Sequence, residues 1–137
     1  ILGSLAVLSA VGADSFTSRL LTIMGDAIFD GNIKFPCETY VANGAITLKG
    51  GVAFITKGSA ANLTLAAPMA TTDDGCRLAI IATTAHAHTV TQASPGFNNL
   101  AGSGDVATWT AAVGNAMEVV AYQGVWYTLN LRNVAIT

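Results

Sequence analysis

The sequence predicts an all-β protein, a short-strand antiparallel sandwich or barrel with an extended N-terminal arm. Three observations carry this. From Glu38 onward, short runs of alternating apolar and polar residues recur about every ten residues, the rhythm of sandwiches and small barrels. Turn pairs punctuate the runs: Asn43-Gly44, Gly50-Gly51, Gly114-Asn115 and Gln123-Gly124. In place of a charged coat the chain carries Ala, Gly, Thr and Ser, laid out in short alternating strands.

The chain divides near Phe35-Pro36, giving an apolar arm and connecting segment over 1–35 and a β domain over 36–137. The arm, Ile1 to Gly12, reads like the apolar core of a signal peptide, but it has no initiator Met and no basic lead-in. Its expected role is a retained arm that docks on a partner or a neighbouring subunit through Ile1, Leu2, Leu5, Val7, Leu8 and Val11. The competing readings are a strand of the domain's own sheet and an uncleaved signal on a surface-anchored domain. Between Ala13 and Asp30, Asp14-Ser15 is placed to cap a short helix through Phe16, Leu20, Leu21 and Ile23, though Leu20 to Ile23 equally suits a strand.

In the β domain, Glu38 to Ala42 leads into Asn43-Gly44, the strongest short hairpin signal. Strands are then expected over Ala45–Lys49, Val52–Thr56 and Ala61–Ala66, forming a meander that Ala67-Pro68 breaks. After the Met69 to Asp74 loop come Arg77–Thr83 and His88–Thr91, and then a long polar loop from Gln92 to Asp105. Val106–Ala112, Ala116–Tyr122, Val125–Leu131 and Asn133–Ile136 complete the set.

Charge narrows the function classes. Only 10% of the 137 residues are charged while 52% are hydrophobic, against about 25% charged in an ordinary soluble domain. A chain so thinly charged is expected to be covered by copies of itself, by a larger assembly or by a membrane. The apolar arm, at about a dozen residues, falls short of the roughly 20 that a spanning helix needs. The six basic residues are scattered and the net charge is −2, which argues against a nucleic-acid surface.

Chemistry-bearing patterns are few. His86-Ala87-His88 has the spacing to place two imidazoles on one strand face, but zinc needs three or four ligands, so no metal site is expected unless a symmetry axis completes one. Asp73-Asp74-Gly75 lacks the alternating ligands and closing Glu of a calcium loop and reads as a turn. No nucleophile has a base placed beside it by a local motif, so no catalytic residue and no cofactor is expected. Cys37 and Cys76 read as free thiols, with pairing left open. Trp126 reads as core. Trp109 is open between core and an outward glycan-stacking role, with Phe97 in the neighbouring loop as a second outer-surface contact.

The series Leu63-Thr64-Leu65-Ala66-Ala67-Pro68, Asp73-Asp74-Gly75, His88-Thr89-Val90-Thr91, the Gly-rich loop around Phe97, and Val119 to Tyr127 resembles small β-rich structural proteins of tailed bacteriophages. Capsid decoration (cement) proteins and trimeric fibre domains are of this kind. The resemblance spans Gly44 to Leu131 and excludes the arm. It implies a trimeric β-sandwich or barrel on a virion surface without enzymatic activity. The resulting expectation is a decoration protein on the outer capsid surface, a homotrimer bound to the major capsid protein. The alternative is a fibre or receptor-binding module that contacts host glycans.

Overall fold

The structure is a computed structural model that describes residues 30–137. The apolar arm, with Ile1, Leu2, Leu5, Val7, Leu8 and Val11, lies outside the described residues, as does the helix-or-strand segment up to Phe29. Contacts divide the chain into Ile1–Ile33 and Lys34–Thr137, and the strands of the described residues lie in the second unit.

Among the described residues, ten strands form two five-stranded sheets: β1 (Cys37–Tyr40), β2 (Gly44–Ile46), β3 (Gly51–Ile55), β4 (Asn62–Leu65), β5 (Arg77–Ala82), β6 (Thr89–Thr91), β7 (Val106–Trp109), β8 (Ala116–Tyr122), β9 (Val125–Arg132) and β10 (Val134–Ile136). The first sheet has the order β1-β3-β5-β8-β9 and the second β10-β7-β6-β4-β2. The fold is an all-β sandwich, as the sequence predicts, and every expected strand has a counterpart within a few residues.

The connectivity differs from a meander. Odd strands β1, β3 and β5 pair in parallel in the first sheet, and even strands β2, β4 and β6 pair in parallel in the second. The first half of the domain is therefore a coil that visits each sheet once per winding. Only the second half is antiparallel, with β8 joining β5, β9 joining β8, β7 joining β6 and β10 joining β7.

Asn43-Gly44 is thus a corner between the sheets and not a hairpin. The Asn43 side chain holds the corner by accepting from Lys57 Nζ at 2.7 Å and from the Asn62 backbone N–H at 3.0 Å. Gly44 meets the turn with φ of 150°, where a Cβ is disfavoured. A local turn signal does not say which strand the next segment will join, and here non-local parallel pairing decided it.

The core forms where the inner rows of the sheets meet. Ala53, Ile55, Leu78, Ile80, Ala82, Met117, Val119, Ala121 and Trp126 face Leu63, Leu65, Val90, Ala107, Trp109 and Val134. The two indoles fix their rings with one bond each: Trp126 Nε1 donates to the Ala66 carbonyl at 2.9 Å and Trp109 Nε1 to the Asn115 carbonyl at 3.2 Å. The Gln92–Asp105 loop is anchored from inside, because Phe97 is fully buried. Asn98 in that loop accepts from both the backbone N–H and the hydroxyl of Thr128, beside the bulge where β8 and β9 slip register.

Candidate functional site

The two sheets differ on their outward faces. In the second sheet the strands alternate, and the outward side chains include Asn62, Thr64, Thr89, Thr91 and Thr108 together with Ala45, Val106 and Ala135, a neutral and mostly polar face. In the first sheet β3 (Gly-Val-Ala-Phe-Ile) and most of β5 (Leu-Ala-Ile-Ile-Ala) are apolar at every position. Near-continuous apolar runs are typical of parallel strands covered on both faces. Here the core covers only one.

Register places the outward side chains of the first sheet in a grid. One row runs Thr39, Phe54, Ile81, Ala116, Arg132, and the next Cys37, Val52, Ala79, Glu118, Asn130. In a third row Arg77 pairs with Val120 and Val120 with Tyr127. Arg77 leans diagonally onto Glu118, with Nη2 2.7 Å from Oε1, so the two charges near the middle of the face neutralise each other. Both are partly solvated, so the pair sets orientation more than stability.

Relief on this face is uneven. On the β8–β9 side Tyr122 and Tyr127 stand out, 60% and 38% exposed. On the β1–β3–β5 side lies an open groove of about 690 Å³ lined by Phe35, Pro36, Gly50, Gly51, Val52, Gly75, Arg77, Ala79 and Glu118. Glycine makes the groove: Gly50 and Gly75 give the floor no side chains, and Gly51, at φ of 105°, lets the Phe35–Pro36 segment pass directly over it. The Pro36 carbonyl accepts from the Val52 N–H at 2.9 Å, which fixes that wall. Phe35 is 70% exposed on the rim.

The first winding ends in polar groups. Glu38 points inward at the open end of the core, where its Oε2 accepts from the Tyr40 hydroxyl at 2.6 Å and the Thr47 hydroxyl at 3.0 Å. Partial burial, and next the bond to Glu38, raise the Tyr40 pKa above its ordinary value. An inward carboxylate on an outermost strand discourages a further strand from stacking there. Among the described residues, then, the outward face of the first sheet is the apolar surface that lacks cover.

The residues singled out from sequence fall as follows. Trp109 and Phe97 are both fully buried, so neither is an outer-surface or glycan contact; this corrects that expectation. The loop around Phe97 is polar in sequence, yet Gly96 and Gly104 let it close tightly on its own Leu100 and Ala101, and Phe97 turns into the core. His86 and His88 do not share a strand face, since β6 begins only at Thr89, although their rings stand edge-to-face with centroids 6.1 Å apart. Both His88 nitrogens are engaged, Nδ1 accepting from the Ala61 N–H at 3.1 Å and Nε2 facing Thr84 Oγ1 at 3.1 Å. Burial, chiefly, lowers the His88 pKa. Among the described residues no group of three His, Cys, Asp or Glu is placed to hold a metal. Cys37 and Cys76 are free. Asp74 is a structural turn residue that accepts from Gln123 twice.

The signal that would have found the outward face is the loss of alternation in β3 and β5. No family model matches this chain, and none of the curated proteins or solved structures matches it either. Among the described residues no helix is long and apolar enough to cross a membrane.

Proposed function

We propose that this chain is a virion structural protein, a capsid decoration protein that works as a homotrimer on the outer surface of the major capsid protein shell. The observation that carries the reading is the outward face of the first sheet. Val52, Phe54, Ala79, Ile81 and Val120 form an apolar, half-buried surface, and the Arg77–Glu118 pair at its middle is self-neutralised. Such a surface belongs in contact with protein. The resemblance of Gly44 to Leu131 to phage β-structural proteins supplies the setting. In this reading the arm Ile1 to Val11 grips the shell, and the Thr-rich face of the second sheet is turned to solvent.

Immunogold labelling of purified virions, with antibody raised against the β domain, tests the reading. Label over the head shell is the expected result. Label confined to tail fibres would favour the receptor-binding alternative, and unlabelled virions would sink both. Removal of Ile1 to Gly12 should abolish shell binding while leaving a soluble oligomer; full shell occupancy by the truncated protein would contradict the role given to the arm.

A further inference from the structure

We propose that the glycine-floored groove on the first sheet is a binding site for a neutral saccharide, which would lay its C–H faces against Phe35 and Tyr122 and its hydroxyls on the Arg77–Glu118 pair. The inference goes beyond the decoration reading and does not depend on it. The groove takes the Gly50 and Gly75 end of the outward face, while Phe54 and Ile81, further along β3 and β5, stay open to protein contact.

Shape is the first argument. Phe35 and Pro36 pass over Gly51 and form one wall, with Phe35 exposed on the rim. Two residues before Arg77, Gly75 lies directly across from Tyr122, and the Gly75 N–H donates to the Ala121 carbonyl at 2.9 Å. Tyr122 is exposed too, so an aromatic ring stands at each side of a floor that Gly50 and Gly75 leave bare. The volume of about 690 Å³ falls within the roughly 300–1,000 Å³ of small-molecule sites, which are mostly apolar with a few placed polar groups. A pyranose ring has an apolar C–H face and a polar rim. Laid flat on an aromatic ring it buries apolar area and keeps its hydroxyls free to bond.

The polar pair is the second argument. Arg77 Nη2 meets Glu118 Oε1 at 2.7 Å, a single-point contact. Among the described residues, Glu118 Oε2 and the remaining guanidinium N–H groups of Arg77 have no other partner. The groove wall therefore shows acceptor and donors side by side. A hydroxyl both donates and accepts, so two neighbouring sugar hydroxyls satisfy both groups while the ion pair stays closed.

Other ligand classes fit less well. An ion would have to break the pair or leave its own charge unbalanced. An acyl chain would lie along a charged pair in a groove open to water. A peptide would find no backbone partners on the floor, because β3 already pairs on both sides, with β1 and β5.

Nitrogen–proton NMR spectra of the full chain, titrated with maltotriose, N-acetylchitotriose and lactose at millimolar concentration, read the result. At least one is expected to shift the amides of Gly50, Gly75 and Ala79. Phe35→Ala, Tyr122→Ala and Glu118→Gln should each weaken binding about tenfold, and Ala79→Leu, which fills the floor, should abolish it. These side chains all point away from the core, so circular dichroism should match wild type. Tyr127→Ala, on the same face outside the groove, should bind as wild type does. Added salt should leave the affinity unchanged, since neither ligand nor pair carries net charge. No shift with any of the three sugars overturns the inference, as do shifts that fall outside the groove or survive in every groove variant. Tighter binding of sialyllactose or decanoate than of any neutral sugar overturns it as well. Because the isolated chain is titrated, failure here leaves the decoration reading standing, and virions without label leave the saccharide site standing.

Discussion

The imidazole of His88 accepts the backbone N–H of Ala61 across 3.1 Å, joining the start of β6 to the corner that precedes β4. With Nδ1 an acceptor, Nε2 carries the hydrogen and is donated to Thr84, whose hydroxyl in turn donates to the Lys57 carbonyl at 2.7 Å. A proton on Nδ1 would set two N–H groups head to head inside the protein. Burial, with His86 and Lys57 as nearby positive charge, holds the folded-state pKa below the ordinary 6.5. The unfolded chain therefore binds this proton more readily than the folded one. Stability should be complete above pH 6.5 and fall as pH drops from 6.5 towards the lower folded-state value. In chemical denaturation across this window, His88→Asn, whose Oδ1 keeps the Ala61 bond, should lose the slope, at a cost of about 1–2 kcal/mol at neutral pH. A slope that survives in the variant would place the linkage elsewhere.

Trp109 should behave as a core residue and not as a ligand platform. Trp109→Ala should cost about 3–5 kcal/mol, a large share of the total for a domain this size. Trp109→Phe, which keeps most of the volume but gives up the bond to the Asn115 carbonyl, should cost about 1–2 kcal/mol. Urea titration separates the two. A Trp109→Ala protein of wild-type stability would contradict the burial.

Asp74 holds Gln123 with both oxygens, the backbone N–H at 2.7 Å and the side-chain amide at 2.6 Å. Gln123 sits in the β8–β9 turn with φ of 47°, a conformation that a side chain makes costly. The carboxylate offsets that cost. Asp74→Ala should lower stability by about 1–2 kcal/mol, and amide exchange should quicken first at Gln123 and Gly124. Gln123→Gly, which removes the backbone cost, should recover part of the loss in the double variant.

Gly51→Ala should be among the most damaging single changes in the domain. A Cβ at this position runs into the Pro36 carbonyl, and φ of 105° is unfavourable for any side chain. The Phe35–Pro36 wall would have to lift, taking the Pro36–Val52 bond with it. Gly58→Ala, where a Cβ meets open space, is the control and should be nearly neutral. Comparison of soluble yield and thermal midpoint of the two variants checks this.

Strand positions were legible because alternation and turn chemistry are local. Ala116 to Tyr122 is a strand over the very residues the pattern marks. The winding was not legible, because Asn43-Gly44 looks the same whether the next strand folds back beside β1 or crosses to the other sheet. The candidate surface was half legible. The charge deficit says that something covers the protein, but it does not say which residues face that cover. Trp109 and Phe97 stand out in a sequence by being large, and large residues are mostly core. The informative residues were small or ordinary: Val52, Ala79 and Ile81, outward-facing and still apolar.

The wound half also sets how such a body can change its reach. Each turn of chain is held to the next by in-register parallel ladders, and among the strands of the coil β7 and β8 pair with β6 and β5 of the last turn alone. The antiparallel strands thus act as a fixed base, and the coil is a column standing on it. Insertion of one more turn between the first and second would raise the Glu38 plug by about one strand spacing, about 4.8 Å. The base and its two tyrosines would stay where they are. Column height and base contact are separable properties of this architecture, so one can drift while the other is kept.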